Sequence, residues 1–196
     1  INYQRRLSMR IIVEGLIGVG KSTFTKEAST LFNLNPMYES VDDNPFLEKF
    51  YSEPSRWAYT LQMHFLYDRF TKHIPDNTIL DRSIFGDIGF ATLLKNDGVL
   101  SQDEFESYMK HYRILSTYIP PVDLCIHLHV SVDQAMERIS KRGREYESGI
   151  DPSYLHKLQE QIHMIPEYLP STTKYIKLDW VDMNEDQRLE AIRRLL

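Results

Sequence analysis

The chain has 196 residues, of which 42% are hydrophobic and 26% charged, and a formal charge of -5 at pH 7. That length suits one α/β domain with a sizeable core. The charge argues against a general nucleic-acid binder, which needs a broad basic face to neutralise phosphates, but leaves room for a small phosphorylated ligand. No apolar run approaches the roughly 20 residues of a membrane-spanning helix, and Cys125 is the only cysteine, so no internal disulfide can form, in keeping with a reducing cytoplasm.

Ile1–Ser8 lack the apolar core of a signal peptide. Met9 then reads as a natural start, with the residues before it an extension or a remnant. Arg10–Glu14 is a β-rich run, and Gly15-Leu16-Ile17-Gly18-Val19-Gly20-Lys21-Ser22 follows it, matching G-x-x-x-x-G-K-[ST] between a strand and a helix. Gly15, Gly18 and Gly20 let backbone N–H groups curl around an anion, with the helix N-terminus adding its positive end. Lys21 is spaced to reach β- and γ-phosphates, and Ser22, with Thr23 beside it, to hold Mg²⁺. This is a nucleotide site, but a phosphate loop alone does not separate a kinase from a GTPase switch or a motor.

The next run, Met37–Glu39, is short. Glu39 at its carboxyl end would face the crevice of a doubly wound sheet, where it can accept a proton from an attacking hydroxyl. Taken alone, it reads equally as an exposed acid. Trp57, Leu61, Phe65 and Tyr67–Phe70 recur at helical spacing. A third run, Thr78–Asp81, ends in Asp81-Arg82-Ser83: Asp81 can hold Mg²⁺, and the permanent cation Arg82 can stabilise a phosphoryl group or orient Glu39, unless the two simply pair. Ser101–Tyr118 opens with Ser101 and Glu104 in capping-box spacing and stops before Pro120-Pro121. Cys125, inside the apolar run Leu124–Leu128, reads as a buried, inert thiol. Arg138 and Arg142 share a helix face, with Arg144 following Gly143 in a turn. Such cations suit a γ-phosphate, although an isolated cluster is usually a solvated helix end. Lys174–Leu178 is the last β-rich run.

Strands alternating with helices predict an α/β fold in which a five-stranded parallel sheet carries helices on both faces. The helices around Trp57–His73 and Ser101–Tyr118 are rich in aromatic residues, which suits packing on the sheet or against a second copy.

These stretches together resemble the deoxynucleoside kinase family, especially its bacterial deoxyadenosine/deoxyguanosine branch. The resemblance rests on Glu14 to Thr23, Glu39-Ser40-Val41-Asp42-Asp43-Asn44-Pro45-Phe46, Phe50-Tyr51, Arg56-Trp57, Leu61-Gln62-Met63, Asp81 to Asp87, the arginine-rich lid from Arg138 to Ile150, Leu178-Asp179 and Asn184-Glu185-Asp186, in order and almost end to end. It implies a P-loop kinase fold and a homodimer built from a helix bundle. The implied reaction is transfer of the γ-phosphate of ATP, with Mg²⁺, to the 5′-hydroxyl of a deoxynucleoside. It also implies roles. Glu39 is the general base, with Arg82 and Lys21 at the reacting phosphate. Gln62, Arg69 and Asp87 read the base, and Tyr51 with Glu147 holds the sugar 3′-hydroxyl. Arg138, Arg142 and Arg144 close over ATP, and Glu185 and Asp186 lie beside its adenine. Read singly, Gln62 is a half-buried amide needing any partner, Tyr51 a core aromatic, and Asp87 a cap for the following helix. Ser40 in place of proline, Tyr146 in place of an acid, and Asp81 where animal members carry glutamate depart from the pattern, and none removes a group the chemistry requires.

The Arg69–Asp87 pair favours deoxyadenosine or deoxyguanosine, with deoxycytidine next. A nucleoside monophosphate kinase would need cations near Glu39, where Asp42, Asp43 and Glu48 stand with only Lys49 basic. A nucleotide-dependent switch that reads guanine would need an Asn/Thr-Lys-x-Asp signature, which the sequence lacks.

Overall fold

A computed structural model describes residues 9–41 and 43–196. The reading of Ile1–Ser8 as an extension, and the acid at Asp42, lie outside the described residues. In chain order the elements are β1 (Arg10–Gly15), α1 (Lys21–Phe32), β2 (Asn35–Met37), α2 (Leu47–Ser52), α3 (Pro54–Thr71), β3 (Thr78–Asp81), α4 (Ile84–Asn96), α5 (Gln102–Ser116), β4 (Leu124–His129), α6 (Val132–Arg142), α7 (Pro152–His163), β5 (Lys174–Asp179) and α8 (Glu185–Leu195). Short 3₁₀ turns occupy Glu145–Glu147 and Ile165–Glu167.

The strands form one parallel sheet in the order β2-β3-β1-β4-β5. Its three central strands are apolar runs because both faces are covered. Ile11, Ile12, Val13, Ile79, Cys125, Ile126 and Leu128 are wholly buried. Each buried Ile, Val or Leu contributes roughly 1.5–3 kcal/mol by leaving water. Right-handed crossovers dictate the layers. The chain leaves β1 toward β2 in one direction and returns through β3 to β4 and β5 in the other. α1 and α8 therefore pack together on one face, and α3, α4, α5 and α7 on the other. Direction reverses at β1, so the carboxyl ends of β1 and its neighbours open a crevice. No helix among the described residues is long and apolar enough to cross a membrane.

Helix boundaries follow local chemistry. Ser101 and Glu104 form the expected reciprocal cap on α5, and Ser131 with Gln134 does the same for α6. β2 departs from expectation. It runs Asn35–Met37, not Met37–Glu39, because Asn35 pairs with Thr78 and the strand contains Pro36. A proline is tolerated only in such an edge strand. Glu39 therefore sits beyond the strand, in the loop before α2.

Candidate active site

Loops following the carboxyl ends of β1, β2, β3 and β5, together with the segment after α6, enclose a cleft of about 810 Å³. That is large enough for two small molecules end to end. Gly18, Gly20, Lys21, Ser22 and Thr23 line its floor. Gly18 has φ +78°, and a Cβ there would lie 2.6 Å from the Ala135 carbonyl oxygen, so only glycine lets the loop lie against α6. Lys21 Nζ is buried and donates to the carbonyls of Leu16 (2.9 Å) and Gly15 (3.3 Å). Burial, with Arg82 nearby, lowers its pKa to about 8. Ser22 Oγ donates to Asp81 Oδ2 at 2.5 Å, while Asp81 Oδ1 is buried without a hydrogen-bond partner among the described residues. A hydroxyl beside an orphaned carboxylate oxygen is the donor set a Mg²⁺ ion takes, completed by water and phosphate. The alternative of an Asp81–Arg82 pair is not what forms.

Glu39 lies between two guanidinium groups, 2.8 Å from Arg69 Nη2 and 3.3 Å from Arg82 Nε. Burial opposes its charge, but Arg82, Arg69 and Lys21 outweigh that and hold its pKa below the ordinary value. Arg69 also grips Asp87, through Nε (2.9 Å) and Nη2 (3.1 Å), so one cation bridges two acids. Asp87 sits within α4, whose cap is Ser83, which accepts from the Phe85 N–H; the capping alternative for Asp87 falls. Desolvation dominates at Asp87 and leaves its pKa raised despite Arg69. Arg82 holds the left-handed φ of +69°, uncommon for a residue with a side chain and worth of order 1–3 kcal/mol of strain. The conformation is fixed by its N–H to the Val13 carbonyl (2.9 Å), its Nη2 to the Gly15 carbonyl (3.2 Å) and its guanidinium 4.6 Å over the Phe90 ring.

Gln62 is buried and lines the cleft with Leu61, Phe65 and Phe90, as do Tyr51 and Tyr154. Burial raises the Tyr51 hydroxyl pKa, and the nearby Tyr154 and Glu147 add to the shift. Gly143, in the left-handed region at φ +69°, ends α6 and turns the chain so that the buried Glu147 meets Arg142 (2.5 Å) and Arg144 (3.6 Å). Arg138 instead fastens the phosphate loop to the segment after β5, donating to the carbonyls of Val19 (2.8 Å) and Trp180 (3.1 Å).

The expected residues thus converge, with three qualifications, the first that Gly15 is off the cleft wall and offers its carbonyl to Lys21 and Arg82. Arg69 lies behind Glu39 and Asp87 rather than on the cleft wall, and Glu185 and Asp186 are exposed in the first turn of α8, off that wall. The wall is built there by Trp180, Val181, Asp182, Met183 and Arg188, the last clamped on Glu27 at 2.6 Å. Sequence reasoning missed these, although the loop after a parallel strand's carboxyl end is where a cleft is expected.

Glu14 was also missed as a site residue. It is wholly buried, accepts from Ser83 Oγ at 2.6 Å and lies 3.9 Å from Arg82 Nη1. Gly86 is what admits it, since a Cβ there would stand 2.2 Å from Glu14 Oε2. Desolvation, only partly offset by Arg82 and Ser83, raises its pKa to about 7. A carboxyl whose pKa is raised on folding favours the fold below its unfolded value of 4.5, and loses that contribution as pH climbs through about 7. Urea melts should therefore show Glu14→Gln stabilised relative to the parent as pH rises from about 4 to about 8, an interval that spans both values. A constant difference would place the titration elsewhere.

An ATP-sized cleft with a phosphate loop at one end and a buried, partly apolar pocket facing a carboxylate at the other defines a P-loop phosphotransferase acting on a small acceptor. Comparison narrows the class. The deoxynucleoside kinase family model matches residues 11–194, and the chain belongs to that family. It is 35% identical to a deoxyguanosine kinase of Lactobacillus johnsonii over 95% of this chain and 90% of that one. It is 32% identical to a deoxyadenosine kinase of Dictyostelium discoideum (91% and 75%) and 35% identical to a deoxyadenosine/deoxycytidine kinase of Bacillus subtilis (76% and 72%). Deoxyadenosine kinase from M. mycoides, solved with dATP bound, superposes with a TM-score of 0.83 at 25% identity, covering 95% of this chain and 98% of that one. The same enzyme with dCMP and dCDP gives 0.85, covering 95% and 97%. The protein is an ATP-dependent deoxynucleoside kinase, which sets aside the monophosphate-kinase and switch alternatives.

Proposed function

We propose that the preferred acceptor is a purine deoxynucleoside, deoxyadenosine or deoxyguanosine, with deoxycytidine also accepted. The carrying observation is the buried amide of Gln62 on the wall of a cleft that is also lined by an acid, Asp87, fixed by Arg69. An amide offers a donor and an acceptor together, as a nucleobase edge requires. Relatives named for deoxyadenosine, deoxyguanosine and deoxycytidine support the same choice.

In this reading ATP lies with its triphosphate on Gly15–Thr23 and Lys21 at the β- and γ-phosphates. Ser22 and Asp81 would hold Mg²⁺, which offsets the charge spread over the phosphate oxygens. Tyr51 and Glu147 hold the sugar 3′-hydroxyl, and Glu39 accepts the proton of the 5′-hydroxyl as its oxygen bonds to the γ-phosphorus and ADP departs. Arg82 and the lid residues Arg138, Arg142 and Arg144 stabilise the equatorial oxygens. The adenine rests near the segment after β5, beside the start of α8. Specificity constants for the four deoxynucleosides under ATP and Mg²⁺ test the choice. Deoxyadenosine or deoxyguanosine should lead thymidine by about 10³-fold or more, because a mismatched base leaves buried polar groups unpaired. A thymidine preference would overturn it.

The setting we infer is cytoplasmic, where the buried free thiol of Cys125 persists. The assembly is a homodimer through α3 and α5. α3 leaves Tyr67 and Phe70 exposed, as are Ile114 on α5 and Tyr118 in the turn after it, with the Phe70 and Tyr118 rings in edge contact, centroids 6.1 Å apart. Exposed apolar side chains in contact with one another are candidates for a protein–protein surface. Ile114→Glu should halve the mass seen by light scattering, and a parent chain that is already monomeric would refute the dimer.

A further inference from the structure

On the sheet face covered by α7, three imidazoles converge outside the cleft. His127 and His129 are two apart on β4 and so project from the same face. His163, the last residue of α7, closes over them. Ring centroids are separated by 5.5 Å (His127–His163), 5.6 Å (His129–His163) and 6.4 Å (His127–His129). One ring nitrogen from each lies within 4.8 Å of the other two, the one such grouping of His, Cys, Asp or Glu among the described residues.

The surroundings resemble a prepared ligand set. The Tyr175 hydroxyl on β5 is 2.6 Å from His127 Nδ1, an outer partner that fixes the ring and leaves Nε2 to ligate. The Gln159 amide donates to the Val130 carbonyl at 3.0 Å and only grazes His129 Nδ1 at 3.5 Å, so that ring remains available. Burial is graded: His127 is buried, His129 half-buried and His163 exposed, which gives an ion a way in and solvent a fourth position. Lys177, paired in register with His127, opposes a cation at all three rings, whereas Asp179 near His129 and Glu160 near His163 favour one. Tetrahedral bonds of about 2.0–2.1 Å to zinc would bring the nitrogens to about 3.4 Å, a contraction that requires the half-buried His129 ring to turn toward His127 as the exposed His163 closes on both.

We propose that His127, His129 and His163 bind one divalent first-row transition ion of the zinc, cobalt or nickel type, fastening the end of α7 to β4. Three imidazoles without a carboxylate select such ions over Mg²⁺, so the site is separate from phosphoryl transfer. The test titrates Co²⁺ into the untagged full-length kinase with Mg²⁺ present, following visible absorption and melting temperature. One equivalent should develop the intense spectrum of a tetrahedral ion and raise the melting temperature. Tyr175→Phe should weaken binding about tenfold, and His163→Ala or His129→Ala by more than about 100-fold. Kinase activity in Mg²⁺ should stay at the parent level in the His163 variant. Absence of the spectrum, or a spectrum unaltered in both histidine variants, overturns the proposal. Because the His163 and His129 side chains are not fully buried, either variant should fold, and a far-ultraviolet spectrum matching the parent establishes that.

Discussion

Glu39→Gln should lower kcat by about 10²–10⁴ while ATP affinity stays within about twofold of the parent, since the amide keeps the shape and removes only the proton acceptor. The reasoning starts from geometry: Glu39 is the carboxylate held between Arg69 and Arg82 at the cleft. Its lowered pKa means the base form survives as pH falls below the ordinary carboxyl range, and activity declines only as pH passes through that lowered value. Single-turnover transfer from labelled ATP separates chemistry from product release. A drop smaller than tenfold would move the base to another residue.

Arg69→Met should be the most damaging change to stability. Arg69 neutralises Glu39 and Asp87 together, and Asp87, only 3% exposed, has little water to replace it. Breaking a buried ion pair from one side costs about 3–5 kcal/mol, which for a chain of this size lowers the melting temperature by about 6–20 °C. Asp87→Asn added to the Arg69 variant should restore part of the loss, because it removes the stranded charge. The acid limb of the kcat–pH profile should also move upward, since Glu39 loses one of the cations that lowers its pKa. A variant that melts with the parent would mean the pair is solvated and structurally neutral.

Much of this site was legible because certain chemistry permits few residues. A phosphate cradle needs glycine where a backbone must approach α6, so Gly18 announces itself. Arg82 beside Asp81 at a strand end foretold the contact with Glu39. Other features depend on the fold and leave little local trace. Glu14 follows an apolar run and reads as the last residue of a strand, and its burial beneath Arg82 depends on Gly86, distant in sequence. The bond from Arg69 to two acids requires knowing how α3 crosses α4. β2 lies two residues earlier than Met37–Glu39, and its Pro36 fits a strand only because that strand lies at the margin of the sheet. His127 and His129 form a visible pair, whereas His163 joins them only through the packing of α7.

That marginal position of Pro36 limits how the molecule can associate. Asn35 donates its N–H inward, to Asn77 at 2.7 Å, so the next residue along the strand turns its nitrogen outward, and proline brings no hydrogen there. At the opposite margin, Lys174, Lys177 and Asp179 place charges along β5. Extension of the sheet by a neighbouring chain is thereby disfavoured at both margins.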